Sequence, residues 1–287
     1  MLQKTARVVS DVAVAKTGYG LMMMTWKPAP VPDEEAFDAI KAGIGNLLYI
    51  DKIYFYYRCY SGEFYGINPL TANLELVARF FEKYLAYADK VFLSVKGSTA
   101  RAMPGAVGID CSPENLRRSA DRIMEKLRGT KKLDLFQSPR VDPKYSIEKT
   151  MKVLWGLVSE GKFDYIGLSE CGAETVRRAS SAGLVTAVEI EDMKHNFAIV
   201  NALKAIADKK GITAAQLCIA WVATLGPQLI PLPGSSNKKR TLENLAGGDI
   251  ELPDMELAEI HKVLATHTVL GGRYRDEDSN AELLLWG

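Results

Sequence analysis

Two stretches of this chain carry residue types that could do chemistry. Tyr65 sits in Glu63-Phe64-Tyr65-Gly66, and Lys96 ends the apolar run Val91-Phe-Leu-Ser-Val-Lys96. A phenol with an ordinary pKa of about 10 is a poor acid at neutral pH, and an ammonium beside it favours the phenolate and lowers that value. Such a pair can deliver a proton to a carbonyl oxygen as hydride arrives at the carbon. On spacing alone, the alternative is a loop tyrosine and a solvated lysine. The second stretch is Leu229-Ile-Pro-Leu-Pro-Gly-Ser-Ser-Asn-Lys-Lys-Arg-Thr-Leu-Glu-Asn-Leu245. A strand-like run ends at Gly234-Ser235-Ser236 and enters a helix. Backbone N–H groups, hydroxyls and the bases Lys238, Lys239 and Arg240 converge at its N-terminus, a cradle suited to phosphate. The alternative there is a capped helix with a solvated basic turn.

The elements around these residues alternate. Strand-like runs fall at 17–22, about 53–58, 91–96, 133–137, 164–169, 186–190 and 228–232. Between them lie amphipathic stretches. Asp33–Ile40 has acids in its first turn, matching the helix dipole. Thr71–Tyr84 turns Leu74, Val77, Ala78 and Phe81 inward. Ser112 caps a helix with Pro113 at its first position, an apolar face of Leu116, Ala120, Ile123, Met124 and Leu127, and Gly129 as its stop. Ser146 caps the next, which Gly161 ends, and Ala173–Ala182 follows. Continuous apolar strands alternating with helices imply a parallel sheet covered by helices. No Gly-rich dinucleotide fingerprint follows the first strand. The expectation is a single domain over residues 1–287, a (β/α)₈ barrel, whose active sites lie at the C-terminal ends of the strands. In such a barrel Tyr65 and Lys96 face each other.

The count is one short. After the strand ending near Ile190 come two helices in succession, His195–Lys209 and Thr213–Leu225, the second opened by a capping box from Thr213 to Gln216. That leaves seven strands, with helix 6 and strand 7 missing and an apparent deletion near 191–195. Gly43–Tyr60 is unusual in another way: Tyr49, Tyr54, Tyr56, Tyr57 and Tyr60 fall within it. It reads either as a buried strand with a long loop before it or, over 44–60, as an insertion resembling a translated intron, since Tyr, Ile, Asn and Lys have A/T-rich codons.

Composition excludes several function classes. Lys+Arg is 36 and Asp+Glu is 35, a net charge of +1, so the basic excess that phosphate backbones demand is lacking and no nucleic-acid partner is expected. No apolar run approaches the ~18 residues of a membrane span, and Asp11 interrupts the apolar N-terminal stretch, which is therefore not a secretory signal. The cytosol is the expected compartment. Cys59, Cys111, Cys171 and Cys218 stand far apart with no metal-ligand spacing, which suits reduced thiols and no metal. His195, His261 and His267 all lie in the last third, so chemistry organised by the first two thirds does without histidine.

Taken together the motifs resemble the aldo-keto reductase superfamily: Gly18-Tyr-Gly20, Glu63-Phe-Tyr-Gly66, Leu93-Ser-Val-Lys96, Asp134-Leu-Phe, Ile166-Gly-Leu-Ser169, Val188-Glu-Ile-Glu191, and Ile230-Pro-Leu-Pro-Gly-Ser with Arg240, Glu243 and Asn244. GYGLM…TW, SGEFYG, Arg-Val-Asp-Pro at 140–143 and LCIAW are most similar to fungal pyridoxal reductases. The resemblance spans nearly the whole chain, the Tyr-rich stretch and the junction near Asp192 excepted. It implies a barrel that binds NADPH (NADP as cofactor) across its C-terminal face and reduces a small-molecule aldehyde to an alcohol. Tyr65 would be the general acid and Lys96 its partner. Ser169 and Glu189 match positions that hold the nicotinamide carboxamide. Ser235, Arg240, Glu243 and Asn244 match the adenosine-phosphate clamp, with Gly234 and Ser236 of the cradle beside them as cofactor-binding candidates, and Arg240 with Lys238 or Lys239 would favour NADP.

Three departures from the family pattern stand out. Tyr60 replaces the acid or amide five residues before the tyrosine. Pro139 stands where most members have a histidine, although pyridoxal reductases share that lack. The missing strand 7 takes with it the aromatic residue that stacks on nicotinamide and a loop over the pyrophosphate. Three functions follow for comparison: an NADPH-dependent carbonyl reductase, a catalytically impaired relic of one that binds nucleotide weakly, and an unrelated phosphosugar enzyme using the 234–236 cradle. The last would not need Tyr65 with Lys96.

Overall fold

Apolar runs buried on both faces pair as parallel strands, and six of them build one sheet in sequential order. The computed structural model describes residues 5–8, 12–15, 17–45, 57–100, 108–189, 197–226 and 229–267. A two-stranded antiparallel hairpin, β1 (Thr5–Val8) and β2 (Val12–Ala15), precedes the sheet. The parallel strands are β3 (Tyr19–Gly20), β4 (Tyr57–Gly62), β5 (Val91–Lys96), β6 (Leu135–Ser138), β7 (Tyr165–Ser169) and β8 (Ala187–Glu189). The helices are α1 (Met22–Thr25), α2 (Asp33–Gly45), α3 (Ala72–Lys83), α4 (Pro113–Leu127), α5 (Ile147–Ser159), α6 (Ala173–Ala182), α7 (Phe197–Lys210), α8 (Ala214–Thr224), α9 (Lys238–Gly247) and α10 (Asp254–Thr266).

Alternation along β5 sorts its side chains into two layers. Val91, Leu93 and Val95 belong to a core shared with Leu116, Ala120 and Ile123 of α4 and with Leu154 and Leu157 of α5, between sheet and helices. Phe92, Ser94 and Lys96 take the opposite, inner face by the period-two rule. The Phe92 ring meets Tyr165 of β7 at 5.5 Å between centroids. A second, smaller core joins Ile206, Leu217, Leu252 and Ile260, of α7, α8, α10 and the stretch leading into α10.

The strand at 91–96 and the Ser112, Ser146 and Thr213 caps stand where the sequence places them, including the reciprocal capping box at Thr213 and Gln216. Other boundaries move. Among the described residues the second barrel strand covers Tyr57–Gly62 and so runs past the expected end at 58, paired along its length with Val91–Lys96; residues 46–56 of the Tyr-rich stretch lie outside the described residues. The first strand is two residues long and passes into α1. Of the expected strand at 228–232, the described residues 229–232 are not in a strand. Pro231 and Pro233 have no N–H to donate to a ladder, yet both accept: Gly18 N donates to Pro231 O at 2.8 Å and Gly20 N to Pro233 O at 3.2 Å. Gly20 and Gly234 form a parallel bridge. The chain's last sheet segment thus returns to its first, as barrel closure requires. At the opposite edge is β8, and no strand occurs among the described residues between Glu189 and Pro231; Glu191, Asp192 and His195 lie outside them.

Candidate active site

The register brings the C-terminal ends of neighbouring strands level. Gly62 of β4 pairs with Lys96 of β5, Lys96 with Gln137 of β6, and Ser169 of β7 with Glu189 of β8. Tyr65 lies three residues past Gly62 in a turn closed by Tyr65 N donating to Gly62 O at 3.2 Å. The ring folds back over Gly62, where an added Cβ would stand 2.9 Å from it, so the turn needs glycine there. Both Tyr65 and Lys96 are buried, at 5 % and 4 % exposure. The solvated lysine and free loop tyrosine of the alternative reading are therefore not what the chain folds into.

Apolar rings cover the phenol. Trp26 stacks on Tyr65 at 5.6 Å between centroids, and Phe64 meets Tyr65 edge-on at 5.0 Å. The turn is pinned from below. Thr25 Oγ1 donates to Tyr65 O, Asn73 Nδ2 donates to Thr25 Oγ1 at 2.7 Å and to Leu21 O at 2.9 Å, and Ser61 Oγ donates to Asn73 Oδ1 at 2.7 Å.

Glu63 is the residue sequence reasoning missed. It is 1 % exposed. Its carboxylate accepts from Ser119 Oγ at 2.6 Å, Arg118 Nη1 at 2.9 Å and Thr99 Oγ1 at 3.1 Å. The signal available was a lone acid between Gly62 and Phe64 at the end of a strand, since a buried charge demands partners.

Past β6, Pro139 and Arg140 follow at the rim. The Arg140 guanidinium pairs with Glu170, fully buried just past β7 in a left-handed backbone with φ of 51°. Ser169 is buried and its hydroxyl has no hydrogen-bond partner among the described residues. The backbone of Glu189 is adjacent to Ser169 through the β7–β8 pairing.

The phosphate-type turn is assembled against the first strand. Tyr19 Oη donates to Ser235 O at 3.1 Å and accepts from Thr241 Oγ1 at 3.1 Å. Burial pushes the Tyr19 phenol well above the ordinary tyrosine range, opposed by the Thr241 hydrogen bond. Asn237 caps α9 by accepting from Arg240 N at 2.9 Å, and Ser235 Oγ donates to Asn237 O at 3.0 Å. Asn244 is buried with Nδ2 reaching Gly234 O at 3.5 Å. Glu243 is half-buried, and its backbone oxygen accepts from Gln216 Nε2 at 3.1 Å. Lys238, Lys239 and Arg240 are exposed, Ser236 half-exposed, and none of the three cations makes an ion pair among the described residues. An added Cβ at Gly234 would meet only Gly20 O, at 3.8 Å. Nothing inside the chain requires glycine there; a side chain would obstruct only an approach from outside.

Among the described residues no cluster of three or more His, Cys, Asp or Glu could hold a metal, and no helix is long and apolar enough to cross a membrane. Cys59, Cys111 and Cys171 are buried.

The Aldo/keto reductase family model matches residues 16–192 and 187–265. A probable pyridoxal reductase of Schizosaccharomyces pombe is 32% identical over 335 positions, covering 94% of this chain and 97% of that protein. A probable aldo-keto reductase of Glycine max is 26% identical, over 91% of this chain and 88% of its own. Among solved structures, a glycerol dehydrogenase from Gluconobacter oxydans superposes with TM-score 0.76 at 16% identity, covering 96% of this chain and 100% of its own. An aldo-keto reductase from Klebsiella pneumoniae in complex with NADPH gives 0.67 at 19%, over 92% and 95%. A parallel sheet with Tyr65 and Lys96 at its C-terminal rim, a family match on both sides of residue 190 and (β/α)₈ neighbours lead to one conclusion: the chain belongs to the aldo/keto reductase family of oxidoreductases.

Proposed function

We propose that this chain reduces an aldehyde to an alcohol with NADPH, in the manner of a pyridoxal reductase, and does so slowly. The observation that carries the proposal is the register that sets Gly62 beside Lys96 and folds the buried Tyr65 back over that strand end. Tyr65 gives its proton to the carbonyl oxygen, and Lys96 lowers the cost of the phenolate left behind. Trp26 and Phe64 keep water from the phenol and offer an aromatic aldehyde an apolar wall. Ser169, with Glu189 beside it, is assigned to the nicotinamide carboxamide, and the unpartnered Ser169 hydroxyl fits that task. Gly234, Ser235, Ser236, Glu243 and Asn244 are assigned to the adenosine phosphate end, and Lys238, Lys239 and Arg240 to the extra phosphate that distinguishes NADP. When bound, the cofactor supplies the hydride. The S. pombe relative supports the choice of pyridoxal as substrate. The cytosol is the proposed site of action.

The second reading, an impaired relic, rests on a separate observation. No strand stands between Glu189 and Pro231 among the described residues. The family match breaks and overlaps at 187–192. The alignment to the S. pombe protein runs over 335 positions, more than the 287 residues of this chain, so the relative has residues without a counterpart here. We take helix 6 and strand 7 to be deleted, and with them one wall of the nicotinamide site. Misplacement of a hydride donor by about 1 Å can cost about 100-fold. The test is NADPH oxidation with pyridoxal by this chain, by Tyr65→Phe and by a full-length relative. Turnover about 100-fold or more below the relative, abolished by Tyr65→Phe, is expected. Equal slow oxidation in wild type and Tyr65→Phe would leave only the relic.

A further inference from the structure

We infer that Glu63 is the positioning residue of the Tyr65–Lys96 pair, fixing both members through one buried carboxylate. The inference rests on the reductase reading and adds a residue to it. Glu63 lies two residues before Tyr65, and its backbone N–H donates to Lys96 O at 2.8 Å, directly linking the turn that carries the acid to the strand end that carries the ammonium. Its side chain holds what comes after Lys96. Thr99 Oγ1 donates to one carboxylate oxygen at 3.1 Å, and Ser119 Oγ to the same oxygen at 2.6 Å. Ser119 Oγ also accepts from Ser98 N at 2.8 Å. Arg118 donates to the other carboxylate oxygen at 2.9 Å and to Thr99 O at 2.8 Å.

The main chain after Lys96 has little freedom to adopt this path unaided. Ser98 is held at a φ of 55°, in the left-handed region that a non-glycine residue adopts only under constraint. An added Cβ at Gly97 would stand 2.5 Å from Ser119 Oγ and 2.4 Å from the Phe136 ring. The bend is thus pressed against the hydroxyl that bonds Glu63. The carboxylate accepts from all three side-chain partners at once; an amide can keep its oxygen toward Arg118, whose guanidinium cannot accept, only by turning its NH₂ group toward the Ser119 and Thr99 hydroxyls, which must then accept instead of donate. Removing the charge also leaves Arg118 without its buried counter-ion.

The experiment compares Glu63→Gln and Ser119→Ala with the wild-type full chain. Single-turnover NADPH oxidation with pyridoxal, NADPH affinity by fluorescence, and amide hydrogen exchange of the 61–66 and 165–169 peptides are measured together. Glu63→Gln should slow the single turnover about tenfold or more, with NADPH Kd and pyridoxal half-saturation changed by less than about threefold. Exchange should rise about tenfold in 61–66 and stay constant in 165–169. Ser119→Ala, which removes one of the three donors, should act in the same direction by about threefold. A folded Glu63→Gln that keeps its single-turnover rate overturns the inference. So does a loss that comes with equal weakening of NADPH binding and equal exchange in 165–169. Should Glu63→Gln fail to fold, an unchanged rate in Ser119→Ala overturns it instead. A wild-type chain with no turnover sinks the reductase reading separately; unchanged exchange in 61–66 for both variants sinks the positioning of the turn whichever way turnover falls.

Discussion

Replacing Tyr19 by phenylalanine should destabilise the chain at neutral pH and cease to do so at alkaline pH. The Tyr19 hydroxyl donates to Ser235 O and accepts from Thr241 Oγ1, both at 3.1 Å, within a residue that is 2 % exposed. Without the Tyr19 hydroxyl, the single Thr241 hydroxyl proton can go to Asn237 O, 2.9 Å away, so the main loss falls on the Ser235 carbonyl. One buried acceptor deprived of its donor costs about 1–2 kcal/mol. With unfolding entropy of about 2 cal/mol/K per residue, that lowers Tm by about 2–3 °C for a chain of this length. The sign then turns with pH. Burial, only partly opposed by the Thr241 hydrogen bond, raises the phenol's pKa in the folded chain above the ordinary value. The unfolded chain releases that proton near pH 10 while the folded chain retains it. Tyr19 therefore contributes its stability in full below about pH 10 and loses about 1.4 kcal/mol per pH unit above it. Phenylalanine has no proton to lose. By about pH 11 the wild type has given up as much as the variant lost at neutral pH, and the two melts should nearly coincide. Burial raises the Cys59 thiol as well, but both proteins share it and its effect cancels in the difference. Thermal unfolding followed by far-UV circular dichroism at about pH 7 and about pH 11 decides the matter. A deficit of the same size at both pH values would refute the reasoning, as would no deficit near pH 7.

Three further outcomes are expected. Arg240→Ala should weaken NADPH about tenfold in a fluorescence titration and leave NADH nearly unchanged, because a charge-assisted contact to the extra phosphate is lost; equal loss for both nucleotides would contradict the assignment. Ser169→Ala removes a buried hydroxyl without a partner among the described residues, so the nucleotide-free chain should gain up to about 1 kcal/mol in urea unfolding while its NADPH affinity falls several-fold. Gly97→Ala, whose Cβ would meet Phe136 at 2.4 Å and Ser119 at 2.5 Å, should cost about 1–3 kcal/mol, and a neutral effect would show that the bend after Lys96 yields easily.

What the sequence determined by itself was local. The strand at Val91–Lys96 was legible to the residue, since a short run buried on both faces carries its own limits. The Ser112, Ser146 and Thr213 caps were legible because a capping side chain bonds a backbone N–H only three residues on. Type and spacing singled out Tyr65 and Lys96 as candidates without excluding a loop tyrosine and a solvated lysine; their burial at neighbouring strand ends is a tertiary fact. The tertiary structure decided everything set by pairing at a distance. β-Propensity is high throughout the Tyr-rich run and gives no local reason for the strand to continue past 58 to Gly62; pairing with Val91–Lys96 set that end. The alternation Pro231-Leu232-Pro233 reads as a strand by hydrophobicity, yet it only accepts hydrogen bonds, from a first strand more than 200 positions earlier. Glu63 looks like a surface acid in sequence, because its donors, Arg118 and Ser119, stand 55 and 56 positions away. A charge can be buried there only because helix packing brings those donors to it, and no local pattern records that proximity.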